Sequence, residues 1–333
     1  MGAVLLLVIS FAIILAGALT FTNAVEWAGH RLALGQGAVG SLLAAVGTAM
    51  PETLIPIVAI IGGAEGSEDV AIGAIIGAPF LLATIAMALV GTSALLYRNR
   101  REQGTELRAH APTLERDLVF FLIFFALGVA VGAADLPTAV QIPLVVLFVV
   151  AYAYYVRRTL LGGGEVQAVE EIGPLIMDRT PKRDDPTGRL IAIQLFVGLA
   201  AIVGGAHLFV EELLHVAEDI GVDALVLSLI LAPLATELPE KANSFFWVRE
   251  GKDALALGNI TGAMVFQSTI PIAFGLLLTD WDLNHFAVVS GCLGLAGGIL
   301  AYFALHRVGR FRWPAIVGWA GLFVAFLVYV SVA

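Results

Sequence analysis

Two glutamates stand where a carboxylate is expensive. Glu52 and Glu240 each lie inside a long apolar stretch, and each directly follows a proline, in Gly47-Thr48-Ala49-Met50-Pro51-Glu52 and in Ala235-Thr236-Glu237-Leu238-Pro239-Glu240. At membrane depth a carboxylate costs about 2.5–3.5 kcal/mol on insertion scales, so it needs a counter-charge, a proton or water, and it marks a functional site by default. Each proline removes a backbone donor and frees a carbonyl upstream. Freed carbonyls that line a cavity can ligate ions. Thr48 and Glu52 are four residues apart and share a helix face, as do Thr236 and Glu240. Two carboxylates with hydroxyl and carbonyl oxygens suit a hard cation such as Ca²⁺, and two negative charges balance one divalent ion. The competing reading is a pair of protonated, hydrogen-bonded glutamates that pin helices together, and it leaves the duplication of the motif without a reason.

The duplication extends downstream. Gly73-Ala74-Ile75-Ile76-Gly77-Ala78 matches Gly258-Asn259-Ile260-Thr261-Gly262-Ala263, and the same register pairs Leu82 with Gln267 and Thr84 with Thr269. Gly73/Gly77 and Gly258/Gly262 are G-x-x-x-G pairs, which predict close helix packing. The second motif also carries Glu237 and Lys241, four residues apart with the acid first, the favourable order for an ion pair on one helix face. The alternative role for Lys241 is as a charge partner of Glu240, standing in for a bound cation. Gln267 offers a neutral carbonyl oxygen. Thr84, Thr269, Asn243, Ser244 and Asn259 are polar residues that read individually as helix–helix hydrogen bonds.

The elements that must position these residues follow from composition. The chain is 59% hydrophobic and 14% charged, with mean hydropathy +0.93. A soluble domain carries about 25% charged residues, so lipid is the expected solvent. About 20 apolar residues span a bilayer core, and on that rule ten segments appear, near 3–22, 33–61, 70–97, 117–134, 138–160, 190–209, 221–247, 254–278, 285–305 and 313–332. The run Val4–Thr20 lacks the basic residues that precede a signal-peptide core and reads as the first membrane helix. Proline and polar residues inside segments two and seven predict that those helices are bent or broken. The single cysteine, Cys292, excludes an internal disulfide, no Cys/His cluster suggests structural zinc, and the six histidines read as interfacial.

Seventeen of the 18 Lys and Arg residues fall in alternate loops, after segments one, three, five, seven and nine. The intervening loops carry acids, among them Glu65, Glu68, Asp69, Asp135, Glu211, Asp280 and Asp282. Basic loops stay in the cytoplasm, which places both termini on the outer side of a cell (inner) membrane. A Gly-, Pro- and charge-rich linker over 161–188 separates a first five-helix repeat, 1–160, from a second, 189–333. An odd number of spans in each half gives the halves opposite orientation, the inverted-repeat design of many secondary transporters.

Taken in order and at equivalent spans, the two paired motifs resemble the α-repeats of the calcium/cation antiporter superfamily, the sodium/calcium exchangers and their relatives, whose pattern is close to G-T-S-x-P-E followed by G-N-x-x-G-S-N. The resemblance covers segments two, three, seven and eight directly. It implies an all-α membrane protein of ten transmembrane helices in two inverted five-helix repeats, and Ca²⁺ exchanged for Na⁺ or H⁺ by alternating access. It also implies a midplane cation site drawn from Glu52, Glu240, Thr48, Thr236, Gln267 and Glu237. The expected partners are the lipid bilayer and inorganic cations, with no nucleic acid and no bound cofactor. This chain departs from the pattern at Ala49, Ala78, Leu82 and Ala263, where oxygen ligands are absent, and at Glu237 and Gln267. Those losses argue against several bound Na⁺ ions. Two alternatives remain at this level: a diverged, non-transporting or sensing relative, and an intramembrane enzyme acting on a lipid-linked substrate with the two carboxylates as acid and base.

Overall fold

The computed structural model describes residues 2–31, 39–107, 111–134, 136–161, 173–178, 186–308 and 313–332. Among these residues the secondary structure is helical: α1 (Gly2–Arg31), α2 (Val39–Gly62), α3 (Ser67–Leu81), a π turn (Leu82–Ala86), α4 (Met87–Leu96), α5 (Ala111–Ala133), α6 (Thr138–Leu161), α7 (Gly188–Ile220), α8 (Ala224–Arg249), α9 (Asp253–Gln267), α10 (Ile270–Leu278), α11 (His285–Val308) and α12 (Trp313–Val332). Eight stretches of the described residues are long and apolar enough to cross a membrane, and Ala49–Gly62 and Ala224–Leu238 are shorter apolar helices. Each of the ten segments expected from hydropathy coincides with one of these.

Of the bend or break expected in segments two and seven, a break at the prolines is not found. Helix runs through Pro51 and Pro56 in α2 and through the Pro239 position in α8. Membrane helices tolerate proline because neighbouring groups re-satisfy the freed carbonyls. The interruptions fall instead in the partner spans, at the π turn between α3 and α4 and at Ser268–Thr269 between α9 and α10.

The helices sort into two compact units that cut across the two sequence halves: Met1–Ser67 with Ala153–Gly221, and Glu68–Tyr152 with Val222–Ala333. In the first unit α1 and α7 pack along their lengths. A side chain at Gly17 would meet the Ile202 backbone nitrogen at 2.9 Å, and one at Gly198 would meet the Phe21 nitrogen at 2.8 Å. The backbones therefore touch where small residues remove the obstruction. Gly173–Asp178, a described stretch within the central linker, is fastened across the same pair. The Trp27 indole donates to the Gly173 carbonyl at 2.9 Å. The Asn23 and Gln194 side chains accept from the backbone N–H groups of Ile176 and Met177. Leu175 is buried with Ala24, Trp27 and Ile191.

In the second unit the Ser67–Leu96 span is the innermost, with 94% of an 18-residue window buried against 11% for the spans of α6 and α12. Gly73 and Gly77 fit α3 against the backbone of α8. A Cβ on either would collide with the carbonyl oxygen of Leu225 or Leu229 respectively, and Ser228 donates to the Val70 carbonyl at 2.6 Å across the same contact. The π turn lies against α11, where Gly297 abuts the Ala83 carbonyl.

One enclosed ion pair closes this unit. Arg101 Nη2 donates to Asp253 Oδ2 at 2.7 Å with neither side chain exposed, and also to the Glu106 carbonyl at 2.9 Å. It ties the segment after α4 to the first turn of α9. Removing one member of a buried pair costs about 3–5 kcal/mol. Asp253→Asn strands the Arg101 charge and is expected to lower unfolding stability in detergent by about that amount, as read by thermal or denaturant melting. A melting curve superposing on the wild type would show the pair to be dispensable.

Candidate functional site

In α8 the motif residues occupy consecutive turns of unbroken helix. Thr236 is 5% exposed and Glu237 2%. The Thr236 hydroxyl donates to the Ala232 carbonyl at 3.2 Å, which turns its proton inward and leaves oxygen lone pairs for another ligand. Glu237 and Lys241 form the ion pair their spacing predicts, with Lys241 Nζ 2.7 Å from Glu237 Oε2 and both side chains buried. Gln267, the last residue of α9, donates from Nε2 to Glu237 Oε1 at 3.1 Å. The Glu237 carboxylate is thus held at one oxygen by the ammonium on its own helix and at the other by an amide on the next. Lone charges at this depth are expensive, and the pairing is what allows both to be there.

Glu52 lies half-buried in α2, and its Oε2 has no access to solvent. The Thr48 and Glu240 backbones are helical, and their side chains lie outside the described residues. Of the expected ligands, then, the structure brings Glu237 and Gln267 together with Lys241, beside Thr236. Glu52 and Thr48 belong to the other compact unit.

The secondary polar candidates divide. Ser244 and Asn259 join α8 to α9, with Asn259 Nδ2 donating to Ser244 Oγ at 3.2 Å. Asn243 is exposed. Thr84 and Thr269 both bond back into their own helices, Thr84 Oγ1 to the Phe80 carbonyl at 2.7 Å and Thr269 Oγ1 to the Val265 carbonyl at 2.8 Å. Those two bonds are equivalent in the repeat register, because Phe80 aligns with Val265 just as Thr84 aligns with Thr269.

The same register superposes the two helix interruptions. The π turn over 82–86 aligns on 267–271, where α9 ends at Gln267 and α10 begins at Ile270 with Pro271 in its first turn. In the second copy Pro271 has no N–H to give the Gln267 carbonyl four residues earlier, and the helix parts. In the first copy Ala86 occupies that position, and the helix absorbs the distortion as a π turn. Wide turns inside α-helices recur at functional sites because they expose backbone carbonyls. Sequence reading placed no helix interruption at 82–86, and Pro271 in the second copy was the one available signal.

Two buried acids also escaped it. Asp117 Oδ2 accepts from the Thr261 hydroxyl at 3.0 Å, while Oδ1 accepts from Arg116 Nη2 at 3.0 Å, so the G-x-x-x-G segment of α9 is anchored to α5. Asp253, paired with Arg101, is the other. Partners more than 140 residues apart leave no local pattern.

With this geometry in view, comparison with known proteins places the chain. CaxA of Alkalimonas amylolytica, a candidate antiporter, is 24% identical over 297 residues, covering 87% of this chain and 86% of its own. The structure of an H⁺/Ca²⁺ exchanger, CAX, superposes with a TM-score of 0.66 at 19% identity, covering 98% of this chain and 81% of that one. The sodium–calcium exchanger NCX_Mj superposes with a TM-score of 0.59 at 18% identity, covering 98% of each. The fold is theirs, an all-α membrane protein of ten transmembrane helices in two inverted five-helix repeats. The family is one of transporters, which sets aside the intramembrane enzyme. The model of the sodium/calcium exchanger protein family matches residues 2–161 and 190–332, nearly the whole of the chain with the central linker as the gap, and the chain belongs to that family.

Proposed function

We propose that this protein is a secondary active antiporter that exchanges a divalent cation, Ca²⁺ in the first instance, for Na⁺ or H⁺ by alternating access. In this reading Glu52 and Glu240 hold the ion, with Thr48 and Thr236 contributing hydroxyl oxygens and Gln267 a carbonyl. One observation carries it: each T-x-x-P-E helix precedes a span interrupted at the same repeat position, by the π turn at Leu82–Ala86 and by the break at Ser268–Thr269. A duplicated acid motif with a duplicated helix opening in the span that follows it is what a two-fold ion site requires, since discontinuous helices supply the carbonyls and acids supply the charge.

Inverted vesicles carrying the protein and loaded with ⁴⁵Ca²⁺ are expected to exchange it when a Na⁺ or H⁺ gradient is imposed. Flux equal to that of vesicles lacking the protein, under both gradients, would refute antiport of this ion. The alternation of basic loops supports an inner-membrane protein with both termini outside. On that orientation Glu102→Cys, made in a Cys292→Ala background, reacts with an impermeant thiol reagent in inverted vesicles and not in intact cells. The reverse pattern would invert the topology.

A further inference from the structure

The two motifs differ in charge at two positions, and those two differences form one unit. Three residues before the glutamate, the first copy has Ala49 and the second Glu237. One residue after it, the first copy has Thr53 and the second Lys241. In α2 the Thr53 hydroxyl simply donates to the Ala49 carbonyl at 2.8 Å. In α8 the equivalent positions carry the buried ion pair, at 2.7 Å, with Gln267 of α9 bonded to its acid. The second copy therefore carries one acid and one base, paired on one helix face, where the first copy carries neither. Among the described residues of α8 and α9, the amide of Gln267 meets this pair at the Glu237 carboxylate.

We infer that Lys241 is a resident cation of the transport site, occupying by a covalent tether the place that a co-bound monovalent ion would otherwise fill. The inference rests on the ion site proposed above. The charge count is direct. Glu52, Glu237 and Glu240 supply three negative charges and Lys241 one positive, leaving two. Three carboxylates alone would be balanced by a divalent ion plus a monovalent one. With the ammonium in place a divalent ion balances the site alone, and the return leg carries two monovalent ions. Exchange is then electroneutral. The matching positions of the first copy agree with this economy of ligands: Ala78 in α3 and Leu82 in the π turn are buried and apolar, so neither offers a side-chain oxygen to cage an additional Na⁺.

The test is the limiting ⁴⁵Ca²⁺ accumulation ratio in proteoliposomes of the full chain, with Na⁺ and H⁺ gradients fixed and the membrane potential clamped at about 0 and about −100 mV, a span worth about 50-fold per net charge moved. Wild-type protein is expected to give the same ratio at both potentials. Lys241→Gln leaves three uncompensated acids, adds a monovalent ion to the return leg and shifts the ratio about 50-fold. Glu237→Gln leaves one and shifts it by a similar factor in the opposite direction. The double change Glu237→Ala with Lys241→Thr writes the first copy's residues into the second, restores the count of two and removes the potential dependence. A pair that merely pins α8 to α9 gives no opposite-signed shifts. Accumulation by the wild type that changes with potential overturns the inference and leaves antiport standing, and so does a potential-independent Lys241→Gln. Absence of gradient-driven uptake by the wild type under either gradient overturns antiport, and this inference with it.

Discussion

Glu52→Gln and Glu240→Gln are each expected to abolish gradient-driven Ca²⁺ exchange, reducing it by about 1,000-fold, to the level of protein-free vesicles. A unit charge about 4 Å away contributes about 4 kcal/mol at an effective dielectric constant of 20, and each 1.4 kcal/mol is tenfold in an equilibrium constant. The glutamine amide keeps the size of the side chain and a carbonyl oxygen, and it loses only the charge. Neutralising an acid at membrane depth also lowers the insertion penalty, so both variants are expected to fold at least as well as the wild type. That separates loss of the ion from loss of the protein. A second readout does not depend on transport: Ca²⁺ at about 100 times its dissociation constant stabilises the folded protein by about 2.7 kcal/mol. The wild type should melt later with Ca²⁺ present, and neither variant should respond. Full exchange by either variant would remove that residue from the site, and full exchange by both would remove the site.

How much of this could be read from sequence depended on the range of the interaction. Ten spans were legible because hydropathy over about 20 residues is a local quantity, and the helix ends differ from the expected limits mainly where polar residues extend a helix beyond the apolar core, as at Val210–Ile220 of α7. The Glu237–Lys241 pair was legible from its spacing of four. The contact of Gly73 and Gly77 with another helix was legible as a tendency, but its partner, the α8 backbone at Leu225 and Leu229, was not. The helix interruptions fall in the spans after those that carry Pro51 and Pro239. Pro51 and Pro239 drew attention because proline breaks isolated helices, yet within the membrane the surrounding groups hold those helices together. The π turn over Leu82–Ala86 contains neither glycine nor proline, and it became visible only when the two copies were aligned on the structure. Asp117 with Thr261 and Arg101 with Asp253 were not legible because charge pairing across about 150 residues is set by topology, not by neighbours.

Gly77→Leu is expected to prevent the second unit from assembling, and Gly77→Ala to destabilise it severely. A Cβ at that position falls on the Leu229 carbonyl oxygen, closer than real side-chain carbons approach, and the obstacle is backbone that cannot rotate away. Relief requires α8 to move off α3, which breaks the Ser228–Val70 hydrogen bond about two turns away along α3 and exposes packing of the span most enclosed among the described residues. Overpacking of a fitted core ordinarily costs about 1–3 kcal/mol, and a clash with backbone lies at or beyond the upper end of that range. The consequence is functional as well as structural. Leu229 precedes Glu237 by two turns, about 12 Å along the same helix, so a displaced α8 carries Glu237 and Lys241 away from Gln267. Gly262 is the built-in control. It is the repeat equivalent of Gly77, and a Cβ there meets no atom within 4 Å among the described residues. Gly262→Ala should melt within about 0.5 kcal/mol of the wild type, as surface changes do, while Gly77→Ala elutes as aggregate or unfolds many degrees earlier. Equal melting of the two variants would mean that the glycine stripe of α3 is not what seats α8.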